Sequence, residues 1–154
     1  MLFLMFQLGS DRYVLDTAQV AAVLPLLAAK QLPAAPAGVV GAISYRGVPV
    51  PLIDLSLLAL GRPATPLLST RIVLLHYPAE GGERRLLGLI AERAIETIAR
   101  DPGDFVASGV EAGMPPYLGP VAADEAGLIQ WIKVEALLPP TIRDILFRQL
   151  AAEP

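Results

Sequence analysis

Apolar residues in this chain come in short runs separated by turn-forming residues, a pattern typical of a protein built mainly of β-strands. The first run, Leu2–Leu8, ends at the turn-forming segment Gly9-Ser10-Asp11, and Tyr13-Val14-Leu15 then resumes the strand-favouring character. Two further strand-like runs, within residues 41–55, flank Arg46-Gly47, where glycine supplies the positive φ that a tight turn needs. Each pair of runs around a turn predicts a β-hairpin.

Helices are predicted at three places: a helical turn near 17–20, a short helix over 55–60 and a C-terminal helix from about 142. Asp16 and Asp54 stand where N-cap residues belong, and Gly61 stands where a helix is expected to stop. Thr141 with Asp144 resembles a capping box that opens the last helix. Elsewhere the 3.6-residue periodicity of amphipathic helices is scarce, so the fold class predicted is mainly β.

The plan of the first strands recurs later in the chain. Residues 71–77 and 86–90 are predicted strands on either side of a turn at 78–83, and 95–98 continues the second strand after a bend. Strand, turn, strand, short break and strand is also the order within residues 2–27, although the two segments lack sequence identity. Two related β lobes explain this repetition, with the chain passing between them near 62–70.

Length and composition limit what the protein can be. With 154 residues, of which 54% are hydrophobic, we expect a single domain over 1–154 with a substantial core. Cysteine is absent, which excludes disulfides and thiolate chemistry. A net charge of −3 argues against nucleic acid as a partner. We find neither a run of about 20 apolar residues nor a signal-peptide pattern, so we expect a cytoplasmic protein that is not inserted in a membrane.

Catalytic chemistry has little support in the sequence. Asp16 and Asp54 are better explained as helix caps than as paired catalytic carboxylates. The single histidine, His76, lies within a predicted strand with no recognisable nucleophile beside it. Trp131 is a candidate ligand platform, but within an apolar run it is more often a core or interface residue. We therefore expect no enzyme activity, no cofactor and no metal.

Arg46 is the candidate functional residue, because it stands at a glycine turn between apolar strands. Two interpretations remain open on the pattern alone. One is an ordinary exposed turn residue, and the other is an arginine presented to a protein partner, where its planar fork is favoured over lysine.

At these residues the chain resembles the CheW family of chemosensory coupling proteins. Residues 41–47 and 51–55 are similar to the family signature G-x-x-N-x-R-G-x-x-x-P-x-x-D-L, with Ser44 in place of its asparagine. The resemblance extends over nearly the whole chain. Arg62-Pro63 and Tyr117-Leu118-Gly119 resemble the branch that serves surface-sensing, Wsp-type systems.

This resemblance implies a CheW-like fold of two small five-stranded, SH3-like β-barrels. It also implies a non-catalytic adaptor that couples the cytoplasmic tip of a methyl-accepting-type chemoreceptor to the regulatory domain of a CheA-like histidine kinase. Such proteins work in the cytoplasm at membrane-associated receptor arrays, and the kinase domain concerned shares their double-barrel fold. The family often has an aspartate in its last strand, where this chain has Lys133.

The resemblance also implies receptor contacts at Val20, Gly41 and Arg46, around an apolar groove between the lobes. We expect runs at 20–23, 41–43 and 87–90 to build that groove for an amphipathic helix hairpin. The full predicted set of partner-binding residues is Val20, Val23, Gly41, Ile43, Arg46, Gly47, Leu89 and Ile90. The alternative function is a β-barrel that binds a small molecule in the same groove.

The resemblance leaves the anchoring of Arg46 open. The family usually has a glutamate able to pair this arginine where the present chain has Ala22. Either Asp16 or Glu92 replaces it, or Arg46 stays unpaired until a partner carboxylate binds. We favour the second, because an exposed ion pair contributes only about 0–1 kcal/mol and is easily lost.

Overall fold

The computed structural model describes residues 1–78, 84–107, 113–139, 142–143 and 146–147. Within these residues the chain forms nine strands: β1 (Leu2–Leu8), β2 (Asp11–Asp16), β3 (Val20–Pro25), β4 (Val39–Tyr45), β5 (Val48–Asp54), β6 (Arg71–Pro78), β7 (Arg84–Ala99), β8 (Leu118–Asp124) and β9 (Gly127–Ile132). The helix α1 spans Leu55–Leu60, and short 3-10 helices span Thr17–Gln19, Pro102–Asp104 and Val134–Ala136. The predicted mainly β class is confirmed.

The long strand β7 joins two groups of strands. In the first group the order is β7-β1-β2-β9-β8, and in the second group it is β3-β6-β7-β5-β4. All pairs are antiparallel except one in each group, β2 with β9 and β5 with β7. Arg93 in β7 has a φ of 52°, beside the register shift where this strand passes from one group to the other. The bend expected after residue 90 is therefore present.

Both groups repeat one pairing pattern. In the second group an isolated bridge joins Lys30, which follows the edge strand β3, to Ala42 on the opposite edge strand β4. In the first group Val106, which follows β7, makes the equivalent bridge to Val121 on β8. The repetition seen in the sequence thus has a structural counterpart. The division of 1–154 into two barrel lobes stays a prediction, which this pattern supports.

The point where the chain changes group differs from our expectation. Strands β5 and β6, on the two sides of residues 62–70, both belong to the second group. The chain instead enters the second group after the 3-10 helix Thr17–Gln19 and leaves it within β7. The prediction of a crossing near 62–70 is wrong, because this segment follows α1 and connects β5 to β6, two strands that both pair with β7 within the second group. Its prolines mark a connection inside one group, and proline content alone does not distinguish such a connection from a crossing between groups.

Three clusters of buried side chains form the interior. The largest, which we call the shared core, takes side chains from both groups, including Phe6 and Leu15 from the first and Leu75 and Leu89 from the second. A second cluster lies within the second group, with Val50, Leu52, Ile72 and Leu74 completely or almost completely buried. A third lies within the first group around Phe3, Phe105 and Trp131. The face between the two groups is therefore filled.

Helix caps lie where the sequence predicted them. The Asp16 carboxylate accepts a hydrogen bond from the Ala18 N–H at 2.9 Å, and the Asp54 carboxylate accepts one from Leu57 N–H at 3.2 Å. Gly61 ends α1 with a φ of 74°. The 3-10 helices at Pro102–Asp104 and Val134–Ala136 were not predicted, although Asp101 caps the first of them as an ordinary turn residue would.

Two side-chain contacts join parts of the chain that are far apart in sequence. Arg12 on β2 donates two hydrogen bonds to the Asp124 carboxylate, at 2.7 and 2.5 Å, and so ties β2 to the hairpin of β8 and β9. The buried Tyr77 hydroxyl accepts a hydrogen bond from the Leu138 N–H at 3.1 Å. These side chains hold the N- and C-terminal strands of the first group and the segment after β9 in place.

The expected C-terminal helix is described at four positions. Residues 142–143 and 146–147 are helical, and Leu146 is buried in the shared core. The rest of that helix, with its capping box, and the turn at 78–83 beyond Pro78 lie outside the described residues. None of the helices in the described part of the chain is long and apolar enough to cross a membrane.

Candidate partner-binding site

The hairpin of β4 and β5 places Arg46 at its tip. Tyr45 pairs with Val48, so only Arg46 and Gly47 form the turn, with φ values of 49° and 80°. Two successive positive φ values define a type I′ turn, which matches the twist of the flanking strands. Glycine adopts this conformation readily, but arginine does so at a cost. A strained backbone at an exposed tip is a feature often found at functional sites.

The Arg46 side chain lies on its neighbour's ring. Its guanidinium carbon is 5.3 Å from the centroid of the Tyr45 ring, a cation–π contact worth about 0.5–1 kcal/mol at an exposed site. Tyr45 is half-buried and packs against the second-group core, so it offers a fixed platform. Arg46 is exposed and forms no ion pair with any residue that the structure describes.

The carboxylates that we considered as anchors for Arg46 are engaged elsewhere. Asp16 caps the 3-10 helix that follows β2, and the Glu92 carboxylate accepts a hydrogen bond from the Thr65 N–H at 2.9 Å. The expectation of an unpaired Arg46 agrees with these contacts. Its guanidinium is therefore available to form a bidentate pair with a carboxylate from another molecule.

Exposed residues surround this arginine. Val48, which is 52% exposed, lies next to the turn, and Ser44, Gly47 and Pro49 are also exposed. A single cation within a small, partly apolar surface is the composition that protein interfaces favour, because arginine and apolar contacts are enriched there. We call residues 44–49 the hairpin tip.

Four of the eight predicted partner-binding residues have accessible side chains or backbone in this arrangement. Arg46 and Gly47 are exposed, Val23 is 38% exposed on the edge strand β3, and Val20 is half-buried against the shared core. Val20 and Val23 lie on β3, whereas the other two lie at the hairpin tip.

The other four predicted residues are interior, which corrects the predicted groove. Leu89 is completely buried in the shared core, Ile43 and Ile90 are buried in the second-group core, and Gly41 is buried beside the Lys30 backbone. The run 87–90 alternates between the two faces of β7, and both faces are covered. An apolar run of this kind does not distinguish a groove from a core, and here it forms a core.

Sequence reasoning missed Tyr45 and Val48 as members of the hairpin tip. The signal that could have found them is the hairpin itself. A two-residue turn brings the residues on its two sides into direct register, so Tyr45 and Val48 are cross-strand neighbours beside Arg46.

Other candidate chemistry has structural explanations. Trp131 packs edge-on against Phe3 and Phe105, with ring centroids 4.9 and 5.2 Å away, which confirms the core interpretation. His76 is half-buried on β6. A shallow cleft of about 290 Å³ lies beside Trp131, lined by Asp16, Gln19, Pro120, Lys133 and Glu135. No group of three metal-ligating side chains occurs in the described residues.

The comparisons with known proteins agree with this fold. A family model described as "CheW-like domain" matches residues 2–140. The chain is similar to the crystal structure of the scaffolding protein TtCheW from Thermoanaerobacter tengcongensis, with a TM-score of 0.77 and 22% identity, over 94% of this chain and 92% of that chain. No curated protein matches the sequence significantly. Since the family model spans nearly the whole chain, the protein belongs to the family of CheW-like domains.

Proposed function

We propose that this protein is a non-catalytic adaptor that couples the cytoplasmic tip of a chemoreceptor to the regulatory domain of a CheA-type histidine kinase. Its place of action is the cytoplasm, at receptor arrays. The family assignment supports this proposal, as does the similarity to a protein that is itself called a scaffolding protein. The Wsp-type, surface-sensing branch is our proposal for the pathway, on the strength of Arg62-Pro63 and Tyr117-Leu118-Gly119.

One observation contributes most to the proposal: Arg46 is exposed, oriented by Tyr45 and without an ion pair among the described residues. We propose the hairpin tip as the receptor-binding surface, with Val20 and Val23 on β3 as further contacts. A receptor carboxylate would then pair with the guanidinium, while Val48 packs against an apolar part of the receptor helix hairpin. Gly41, Ile43, Leu89 and Ile90 would support this surface from within.

The test is the affinity of Arg46 variants for a receptor cytoplasmic fragment, measured by isothermal titration calorimetry. Arg46→Ala should weaken binding by about 1–3 kcal/mol through the lost charge-assisted contact, and leave the melting temperature nearly unchanged. Arg46→Lys is the matched control, because it keeps the charge but lacks the bidentate fork, and we expect an intermediate affinity.

A lower melting temperature with unchanged receptor affinity would make Arg46 a structural residue and contradict the proposal. Wild-type protein that bound neither the receptor fragment nor the kinase regulatory domain would contradict the adaptor function itself. The alternative of a small-molecule barrel loses its main support, because the apolar residues expected to line its groove pack into cores.

A further inference from the structure

The segment between α1 and β6 carries two leucines that are exposed to solvent. Leu68 is 98% exposed, and Leu67 before it is 55% exposed. Ile95, which is 61% exposed, is close by, because the Ala94 N–H donates a hydrogen bond to the Ser69 carbonyl at 3.1 Å. Single exposed apolar residues are common on proteins, but several together indicate an interaction site. We call Leu67, Leu68 and Ile95 the leucine patch.

The segment that carries the leucines is held in one conformation by hydrogen bonds. The Asp54 carboxylate accepts one from the Ala64 N–H at 2.9 Å, and the Glu92 carboxylate accepts one from the Thr65 N–H. The hydroxyl of the buried Thr70 donates to the Thr65 carbonyl at 2.5 Å, and the Thr70 N–H donates to the Leu67 carbonyl at 3.0 Å. A flexible loop could turn its leucines away from water, but a segment bonded in this way keeps them exposed.

Charge around the patch indicates which kind of partner fits. Arg71 follows Thr70 and Arg93 precedes Ala94, while Glu92 and Glu96 lie on the same stretch of β7, so charges of both signs border the patch. An apolar centre with a charged rim of mixed sign is the composition of protein interfaces. A net charge of −3 for the whole chain disfavours an anionic membrane surface as the occupant. A protein partner fits better.

The position of the patch indicates which protein. The hairpin tip lies at the start of β5, whereas Asp54, which anchors the leucine segment, lies at its end. Seven residues of strand separate the two by roughly 20 Å, so both surfaces can be occupied at once. We infer that the leucine patch binds the regulatory domain of the kinase, while the hairpin tip serves the receptor. This inference rests on the adaptor function proposed above.

The experiment measures binding of wild-type protein and two variants to the kinase regulatory domain and, separately, to the receptor fragment. Leu68→Asp should weaken kinase-domain binding at least about tenfold, because its carboxylate would enter an apolar pocket, and leave receptor affinity and melting temperature unchanged. Leu128→Asp is the matched control, since Leu128 is 64% exposed but lies on β9 in the first group. It should change neither affinity.

Three results would overturn the inference: unchanged kinase-domain affinity in Leu68→Asp, an equal loss in Leu128→Asp, or a loss of receptor affinity instead. Co-sedimentation with anionic lipid vesicles that disappears only in Leu68→Asp, with kinase-domain affinity unchanged, would assign the patch to a membrane and also overturn it. If the wild-type protein bound neither fragment, the adaptor function itself would be refuted. Failure of the adaptor function is therefore distinguishable from failure of the leucine-patch inference, which the variants alone decide.

Discussion

Replacing Gly41 with alanine tests the contact between β4 and the segment after β3, where Lys30 is bridged to Ala42. A Cβ atom on Gly41 would lie 2.3 Å from the Lys30 carbonyl oxygen and 3.0 Å from the Ala29 Cβ. The first distance is far below any normal contact, and the obstacle is backbone that cannot rotate away. Alanine at position 41 must therefore push apart the two segments that the bridge between Lys30 and Ala42 joins.

The expected cost follows from what that bridge contributes. Lys30 and Ala42 exchange two backbone hydrogen bonds, each 2.8 Å long. Each contributes about 0.5–1.5 kcal/mol, so losing both costs about 1–3 kcal/mol. Gly41 also has a φ of 151°, outside the range that alanine prefers, which adds about 1 kcal/mol. The total of about 2–4 kcal/mol corresponds to a fall in melting temperature of roughly 4–16 °C for a chain of this size.

Gly127→Ala is the control for backbone conformation. Gly127 also has a positive φ, 126°, but a Cβ atom there would meet nothing within 4 Å. The difference between the two variants in free energy of unfolding, measured by urea titration, therefore isolates the close approach at Gly41. If Gly41→Ala were no less stable than Gly127→Ala, the close contact with Lys30 would not constrain the fold and our reasoning would be wrong.

The close approach of Gly41 to the Lys30 backbone also changes how a binding defect in a Gly41 variant should be interpreted. A receptor contact at Gly41, which the family resemblance implies, predicts that Gly41→Asp repels a receptor helix directly. Because Gly41 is buried against the Lys30 backbone, an aspartate there would instead displace β4. The hairpin tip is the continuation of β4, so receptor binding would be lost indirectly. A binding assay on Gly41 variants is informative only beside a measurement of their stability.

Two further predictions concern the contacts between distant parts of the chain. Tyr77→Phe should lower the free energy of unfolding by about 1–3 kcal/mol in urea titrations, because the buried Leu138 N–H loses its acceptor. Tyr45→Phe is the control: it removes a hydroxyl with no hydrogen bond among the described residues, and it should leave the free energy of unfolding unchanged. Hydrogen bonds from Arg12 lower the pKa of Asp124 from 3.8 to about 2, so its contribution to stability is complete above about pH 4 and lost as the pH falls toward 2. Asp124→Asn should therefore lose less stability than wild type between pH 5 and pH 2, and an equal loss would contradict the role of this pair.

Local features of the fold could be predicted from the sequence because short-range chemistry determines them. The strand Leu2–Leu8 and the helix Leu55–Leu60 have the predicted bounds. In both, a glycine or aspartate at the boundary acts within a few residues of itself, through a turn or a cap. The hairpin around Arg46-Gly47 was predictable for the same reason.

Burial between distant strands could not be predicted in this way. Leu89 and Leu68 are both leucines in apolar surroundings, yet Leu89 is completely buried and Leu68 is 98% exposed. The difference depends on β1 and β2 covering one face of β7, which is a property of strand order rather than of neighbouring residues. For the candidate site, the sequence could therefore predict exposure at the turn, at Arg46 and Gly47, but not which residues of the neighbouring strands are buried.

The strand β5 connects the two surfaces that we propose, and its structure bears on how an adaptor of this kind would work. It pairs with β4 along its length and with β7 from Leu52 onward, and its residues from Val50 to Asp54 are buried. A strand bonded on both sides and buried in the core resists bending and stretching, because any shift would break several hydrogen bonds together. The distance between hairpin tip and leucine patch is therefore fixed by the fold. An adaptor built in this way would transmit the position and orientation of one partner to the other as a rigid spacer, without a conformational change of its own.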